Sequence, residues 1–283
     1  MNIAIVGAGT AGTAVGVALA RAGHVIVAVT GRGETAARAG RWLPGAALRA
    51  IPDAVQAAVL VVIGVPDDAL GSIVDVIGAA IAPGTWVVHL SGANGLGVLA
   101  PIVAAKGRAL ALHPLQTFAD VGAAVEGLDG CAVAVTAEAD AGWQLGERLA
   151  HDLGGRPFRL LDEARPLYHA AAVFGSNYLV TVSGAAHELF TAAGVPKALA
   201  AMRPLQDAAL ENVHRLGPAA ALTGPAVRGD AGTIDRNLRS IAGAAPHLVA
   251  PYVAMCRASM ELAGERLSSE GRASIEGVLA AWS

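Results

Sequence analysis

The sequence predicts an α/β protein in two parts: a doubly wound, mostly parallel sheet over residues 1–161, then an all-α domain over residues 162–283. Three observations carry this expectation. Residues 1–160 alternate short β-branched runs with small-residue helical stretches, the pattern of a parallel sheet covered by helices on both faces. After about residue 162 the strand signals stop, and the pattern turns helical, broken at Gly194-Val195-Pro196, at Gly217-Pro218, at "LTGPAVRGD" and at Gly264. The composition, 54% hydrophobic and 15% charged over 283 residues, suits two packed domains and argues against disorder.

Composition also removes whole classes of function. A net charge of -3 without Lys/Arg runs leaves no electrostatic footprint for nucleic acid or an anionic membrane. The mean hydropathy of +0.52 is high. Yet no stretch reaches the roughly 18 apolar residues of a membrane span, since "AAVLVVIGV" stops at Pro66 and Asp67. The N-terminus lacks the basic segment of a signal peptide, so the chain is expected to start at Met1 in the cytoplasm. Cys131 and Cys256, far apart in apolar surroundings, read as buried thiols.

Taken in order, "IAIVG", "VIVAVT", "VLVVIGV", "TWVVHL", "RALAL", "CAVAVT" and "PFRLL" read as strands. The first leads into Gly7-Ala8-Gly9-Thr10-Ala11-Gly12, which opens a helix, and the second strand follows about a dozen residues later. That context makes a Gly-x-Gly-x-x-Gly run a dinucleotide fingerprint and the domain Rossmann-type. Gly7 permits the tight turn, Gly9 lets the backbone approach a pyrophosphate, and Gly12 allows close helix packing. The helix start at Thr10 and Ala11 supplies amide donors and a positive dipole end. The second strand ends in Thr30-Gly31-Arg32, with no acid before Glu34 to bind ribose hydroxyls. Arg32 can pair with a 2′-phosphate and Thr30 can add a hydroxyl, so NADP is expected in preference to NAD. His24 reads as a turn residue at the surface.

Three later strands end in "GVPDDAL" (64–70), "HLSGANG" (89–95) and "LHPLQTF" (112–118). Carboxyl ends of strands line the ligand crevice of a doubly wound sheet, so these loops are expected around the nicotinamide, with Val65, Pro66, Ser91 and Gly92 as cofactor contacts. Asp67 reads as a helix N-cap and His89 as a residue inside the sheet edge. Ser91 and His113 lie one step further out, better placed to meet a ligand.

The helical half is expected to open with one helix over 163–193, about 45 Å long at 1.5 Å per residue, with Pro166 in its first turn and Gly194 as its stop. On such a helix His169, Val173 and Asn177 share a face, and Ser176 lies beside Asn177. In "LTGPAVRGD", Gly224, Pro225 and Gly229 fix a turn that presents Arg228 and Asp230, an arrangement able to clamp a carboxylate. No metal site is expected: His187-Glu188 has no second histidine four residues after the first, and no Gly-rich loop is followed by Lys-Ser or Lys-Thr.

"GAGTAG", "HLSGA", "LHPLQTF", "YHAAAVFGSNY" and "LTGPAVRGD" together resemble a bacterial family of Rossmann-like proteins whose helical C-terminal half is catalogued as a domain of unknown function. The resemblance covers nearly the whole chain. More distantly, the sequence is similar to the superfamily of 6-phosphogluconate dehydrogenase, pyrroline-5-carboxylate reductase and ketopantoate reductase, which implies a C-terminal domain like that of 6-phosphogluconate dehydrogenase. Some members of the near family resemble an alternative ketopantoate reductase. In the classical reductases the first long helix of the α domain carries a lysine general acid with asparagines one and two turns on. By resemblance the lysine position here is His169 and the outer asparagine Asn177, whereas the middle position is Val173. A histidine, with an ordinary pKa of about 6.5, suits acid-base work near neutrality. "HP" at His113 resembles prephenate and arogenate dehydrogenases, where a serine on the preceding strand loop, here Ser91, assists the histidine. That makes His113 a second catalytic candidate.

The resulting expectation is an NADPH-dependent reductase of a small 2-oxo acid, with ketopantoate to pantoate, a step of pantothenate synthesis, as the specific reaction. His169 and His113 are the candidate proton donors, Asn177 and Ser176 position the substrate, and Arg228, oriented by Asp230, holds its carboxylate. A homodimer through the C-terminal domain is expected, and neither nucleic acid nor membrane is an expected partner. The alternatives are a non-catalytic NADP-binding redox sensor, a prephenate-dehydrogenase-like enzyme or an imine-reducing oxidoreductase.

Overall fold

The computed structural model describes residues 1–282. Eight strands form one sheet: β1 (Asn2–Val6), β2 (Val25–Thr30), β3 (Ala47–Leu48), β4 (Leu60–Ile63), β5 (Trp86–His89), β6 (Arg108–Pro114), β7 (Ala132–Thr136) and β8 (Arg156–Arg159). Their order is β3-β2-β1-β4-β5-β6-β7-β8. All neighbours pair parallel except β6 and β7, which run antiparallel. The order reverses between β1 and β4, the switch point at which a doubly wound sheet binds ligands.

Seven of these strands were legible as apolar runs; β3 was not. It has two exposed residues at the sheet edge, without the β-branched run that marks a buried strand. Within β1 the side chains alternate between two cores. Ile3 and Ile5 join Leu19, Leu60, Val88 and Leu110 on one face, whereas Ala4 and Val6 join Val61, Leu70, Val74 and Ile102 on the other. Both faces are dry, as a parallel sheet between helical layers requires.

The chain divides into two compact units, Met1–Ser176 and Asn177–Ser283. The first contains the sheet together with the start of the first long helix, so His169 belongs to the sheet unit. That helix differs from the uninterrupted one expected. A 3-10 turn (Asp162–Ala164) leads into an α-helix (Arg165–Val173), a π-helical turn (Phe174–Tyr178) and a second α-helix (Leu179–Ala192). The α-helical spacing that would put His169 and Asn177 on one face therefore does not run unbroken between them. The stop is as expected: Gly194 adopts φ +79°, where a side chain is strained.

The second unit is helical throughout. Its core is built by Ile234, Leu238, Val253, Met260, Ile275 and Leu279. Asp230 and Ser268 cap two of its helices, accepting from Thr233 N and Gly271 N. Cys256 is buried and Cys131 half-buried; neither forms a disulfide, and burial raises both thiols above their ordinary range. No described helix is long and apolar enough to cross a membrane. No group of three or more His, Cys, Asp or Glu among the described residues is arranged to hold a metal ion.

Candidate active site

The β1 turn has the geometry that a dinucleotide needs. Gly7 adopts φ +88°, and its N–H and that of Ala8 donate to the Thr30 carbonyl at 3.1 and 2.8 Å. A Cβ on Gly7 would lie 2.4 Å from Val65 Cγ1, and one on Gly64 2.8 Å from the Gly12 Cα. The β1 turn, the start of the helix Thr10–Arg21 and the end of β4 are thus in backbone contact. Gly9 differs: its Cβ position has no heavy atom within 4 Å. The helix behind it has no side-chain cap, so the first-turn amides at Thr10 and Ala11 are left for a ligand.

The end of β2 shows a division of labour that the sequence concealed. The Thr30 hydroxyl accepts from Gly7 N at 3.3 Å, so Thr30 shapes the glycine turn. Arg32 is exposed, and its carbonyl accepts from the Thr35 hydroxyl at 2.8 Å. A Cβ on Gly31 would collide with that same hydroxyl, at 2.2 Å. A second cation stands by the turn, with Arg38 Nη1 donating to the Ala8 carbonyl at 3.0 Å. Only its place on a helical face marked Arg38, which is why the sequence reading passed over it.

At the next strand end, Asp67 is the first residue of the helix Asp67–Gly78, and Pro66 occupies the cap position. The N-cap reading of Asp67 is corrected by one residue. As a first-turn carboxylate, Asp67 favours the charged form of both His89 and His113.

The ends of β5 and β6 and the helix Arg165–Val173 build a cluster of imidazoles. His89 is fully buried, as expected, and its Nε2 donates to the Gly95 carbonyl at 3.2 Å. Burial first, then the Arg165 charge, push it down to about 4. His113 Nδ1 is hydrogen-bonded to the Tyr168 hydroxyl at 2.8 Å, and the two rings meet edge to face. Burial, then Arg165, then His169 push His113 to about 4 as well, while burial raises the Tyr168 hydroxyl to about 12. At neutral pH, therefore, His113 is an uncharged imidazole beside an intact phenol.

The rings of His113 and His169 are 6.4 Å apart at 83°, with Gly92 between them. A Cβ on Gly92 would stand 2.8 Å from His169 Nδ1 and 2.9 Å from His113 Nε2. The second residue of "SGA" must be glycine for both rings to close on the strand loop. The Ser91 hydroxyl accepts from Asn94 N and Nδ2, and its carbonyl accepts from Arg165 Nη1 at 2.8 Å. Arg165 itself is fully buried. Sequence reading missed Arg165 and Tyr168, which sit in the same helical run as His169 and whose partners come from strands far away in sequence.

Asn177, Arg228 and Asp230 lie in the second unit, and Ser176 closes the first. Both Asp230 carboxylate oxygens engage Thr233, one its backbone N–H at 3.0 Å and the other its hydroxyl at 2.7 Å. Asp230 therefore works as a helix cap. The Asn177 carbonyl accepts from the Thr181 hydroxyl at 3.0 Å.

Comparison with known proteins agrees with this architecture. Residues 1–114 match a Rossmann-like domain, and residues 131–259 match a domain of unknown function, DUF2520. The search of curated proteins returns no match for the chain. Among solved structures, the chain is similar to a Bacteroides fragilis protein assigned as an NADP oxidoreductase, at 26% identity and a TM-score of 0.81, covering 92% of this chain and 98% of that one. An imine reductase from Myxococcus stipitatus in complex with NADP+ shares the fold at 17% identity and a TM-score of 0.68, covering 100% and 99% of the two chains. Plasmodium falciparum pyrroline carboxylate reductase with NADP bound shares it at 12% identity and 0.61, covering 93% and 98%.

Proposed function

We propose, for a chain that joins a Rossmann-like domain to a DUF2520 domain, an NADPH-dependent reductase of a small 2-oxo acid, with ketopantoate to pantoate as the specific reaction. NADP is the cofactor in this reading. The residues present fit it, through an open Gly9, uncapped amides at Thr10 and Ala11, and Arg32 and Arg38 at the end of β2 and against the glycine turn. The assignment of the similar Bacteroides fragilis protein supports the same cofactor. The bound dinucleotide would supply hydride to the substrate carbonyl carbon.

The observation that carries the reading is the pair His113 and His169 on either side of Gly92, at the carboxyl ends of β5 and β6. The Nδ1 of His113 is already engaged by the Tyr168 hydroxyl. The reading gives His169, on the other side of Gly92, the role of supplying the hydrogen of the new hydroxyl. Asn177 and Arg228 are the residues of the second unit to which the reading gives substrate positioning and carboxylate binding. We also propose a homodimer through the helical unit, whose helices Leu179–Ala192 and Ala198–Leu216 expose Val180, Val182, Leu199 and Leu205.

The test is NADPH oxidation with a panel of 2-oxo acids and cyclic imines, together with NADP+ reduction by prephenate, which gives up hydride rather than accepting it. Turnover with ketopantoate well above the other members supports the reading. Turnover with imines or prephenate alone replaces the substrate, and tight NADPH binding with no turnover on any member replaces the enzyme with a sensor.

A further inference from the structure

Among the described residues, three buried side-chain polar atoms have no hydrogen-bond partner: His89 Nδ1, Arg165 Nη2 and His169 Nδ1. The last two are linked twice over. Arg165 and His169 are four residues apart on the helix Arg165–Val173, so their side chains leave the same face. They also reach consecutive residues of one loop. Arg165 Nη1 holds the Ser91 carbonyl, and His169 Nδ1 rests against Gly92, 2.8 Å from where its Cβ would be.

The remaining geometry of Arg165 gives it little freedom. Its Nε donates to the Thr136 hydroxyl at 2.9 Å, so β7 and the β5 loop grip the guanidinium from two sides and Nη2 is fixed in direction. A guanidinium has donors and no acceptor, whereas an imidazole nitrogen can do either. A water that accepts from the Nη2 of a buried cation has a proton to donate onward. An Nδ1 lone pair is complementary to it.

We propose that Arg165 is a positioning residue for His169: Nη2 donates to one buried water, that water donates to His169 Nδ1, and the ring is thereby held as the neutral tautomer with its proton on Nε2. Internal waters make about two to four hydrogen bonds to buried polar groups, and Nη2 and Nδ1 are two such groups left without a partner. Fixing one imidazole nitrogen through a neighbouring group decides what the other presents. His169 then offers an Nε2–H donor in one orientation. Its use on the substrate oxygen rests on the reductase reading above; the tautomer does not.

The experiment is nitrogen-15 NMR of the labelled full-length chain, which distinguishes Nδ1–H from Nε2–H at His169 without substrate or cofactor. The unmodified protein should show Nε2–H. Arg165→Lys, which keeps a donor, should preserve that form, while Arg165→Met should give a mixture of tautomers. In turnover, Arg165→Met should lower kcat by about tenfold to a hundredfold, as loss of an orienting group does, with little change in KM, and Arg165→Lys should recover most of it. An Nδ1–H form in the unmodified protein, or an unchanged tautomer in a folded Arg165→Met, overturns the proposal. Should Arg165→Met fail to fold, a crystal structure of the unmodified chain decides. A water within hydrogen-bonding distance of Nη2 and Nδ1 is expected, and another partner on either atom overturns it. If no 2-oxo acid is turned over but the tautomer responds as stated, the reductase reading fails and the positioning role stands.

Discussion

The carbonyl oxygen of Gly7 lies 2.3 Å from the place that a Cβ on Gly12 would occupy. Gly9, between them, has nothing within 4 Å of its Cβ position and a φ of -70° that any residue adopts. The three glycines of one fingerprint thus do separable jobs. Gly12→Ala should cost about 1–3 kcal/mol, the range for overpacking. Gly9→Ala should leave stability within about 0.5 kcal/mol while weakening NADPH binding at least about tenfold. Urea unfolding and a fluorescence titration separate the two effects, and undiminished NADPH affinity in Gly9→Ala would remove the loop from the cofactor site.

The end of β2 carries Arg32 in place of a carboxylate, with Arg38 against the glycine turn. NADPH should therefore bind at least about tenfold more tightly than NADH, a difference of about 1.4 kcal/mol. Arg32→Ala should erase most of that preference with little effect on NADH. Equal affinities in the unmodified protein would contradict the assignment.

How much of this was legible depended on how local the signal was. β1 and its glycine turn could be read because strand, turn and helix are one continuous stretch. His113 and His169 stood out because each interrupts an apolar run. Arg165 and Tyr168 did not, because their meaning comes from Thr136, Ser91 and His113, which only the sheet order brings within reach. The π-helical turn at Phe174–Tyr178 was hidden too, since a run of small apolar residues has the same helical period with or without it. Asp67 missed its capping role by one residue, a shift that hydrophobic pattern does not resolve.

His89 and His113 make stability depend on pH. Both are held near 4 in the folded chain against 6.5 for a free histidine. The unfolded chain takes up protons below 6.5 that the folded chain refuses until about 4. The contribution of each neutral ring is therefore whole above 6.5 and lost as pH falls towards 4. Urea midpoints measured across that interval should fall with pH, and His89→Asn should give a shallower slope. A slope unchanged by that substitution would show that His89 titrates normally.

The helical unit should be dimeric. Val180 and Leu205 are 70% and 64% exposed on helices whose neighbours along the chain, Val182 and Leu199, are exposed as well. Sedimentation at micromolar protein should give twice the chain mass, and Val180→Glu with Leu205→Glu should give a folded monomer. A monomeric unmodified chain would exclude the assembly.

Which imidazole supplies the proton is the sharpest question the site poses. His113 has both burial and Arg165 against its charged form, and its Nδ1 is committed to Tyr168. His169 stands on the other side of Gly92 on a helix that Arg165 bolts to the β5 loop and to β7. If His169 is the donor, His169→Ala should leave NADPH affinity nearly unchanged and cut turnover by about 10² to 10⁴, the range for a positioned proton donor. Asn177→Ala should raise KM as well as lower kcat if it orients the substrate, and Arg228→Ala should act mainly on KM, since uniform binding of a carboxylate is lost. A histidine that only packs would behave differently: its removal would lower the melting temperature and leave the activity of the folded fraction intact. His113→Ala should act on both quantities moderately, because it frees Tyr168 and loosens the contact with Gly92. Should His113→Ala alone abolish turnover while His169→Ala retains it, the proton comes from the sheet edge, and His169 is a packing residue beside it.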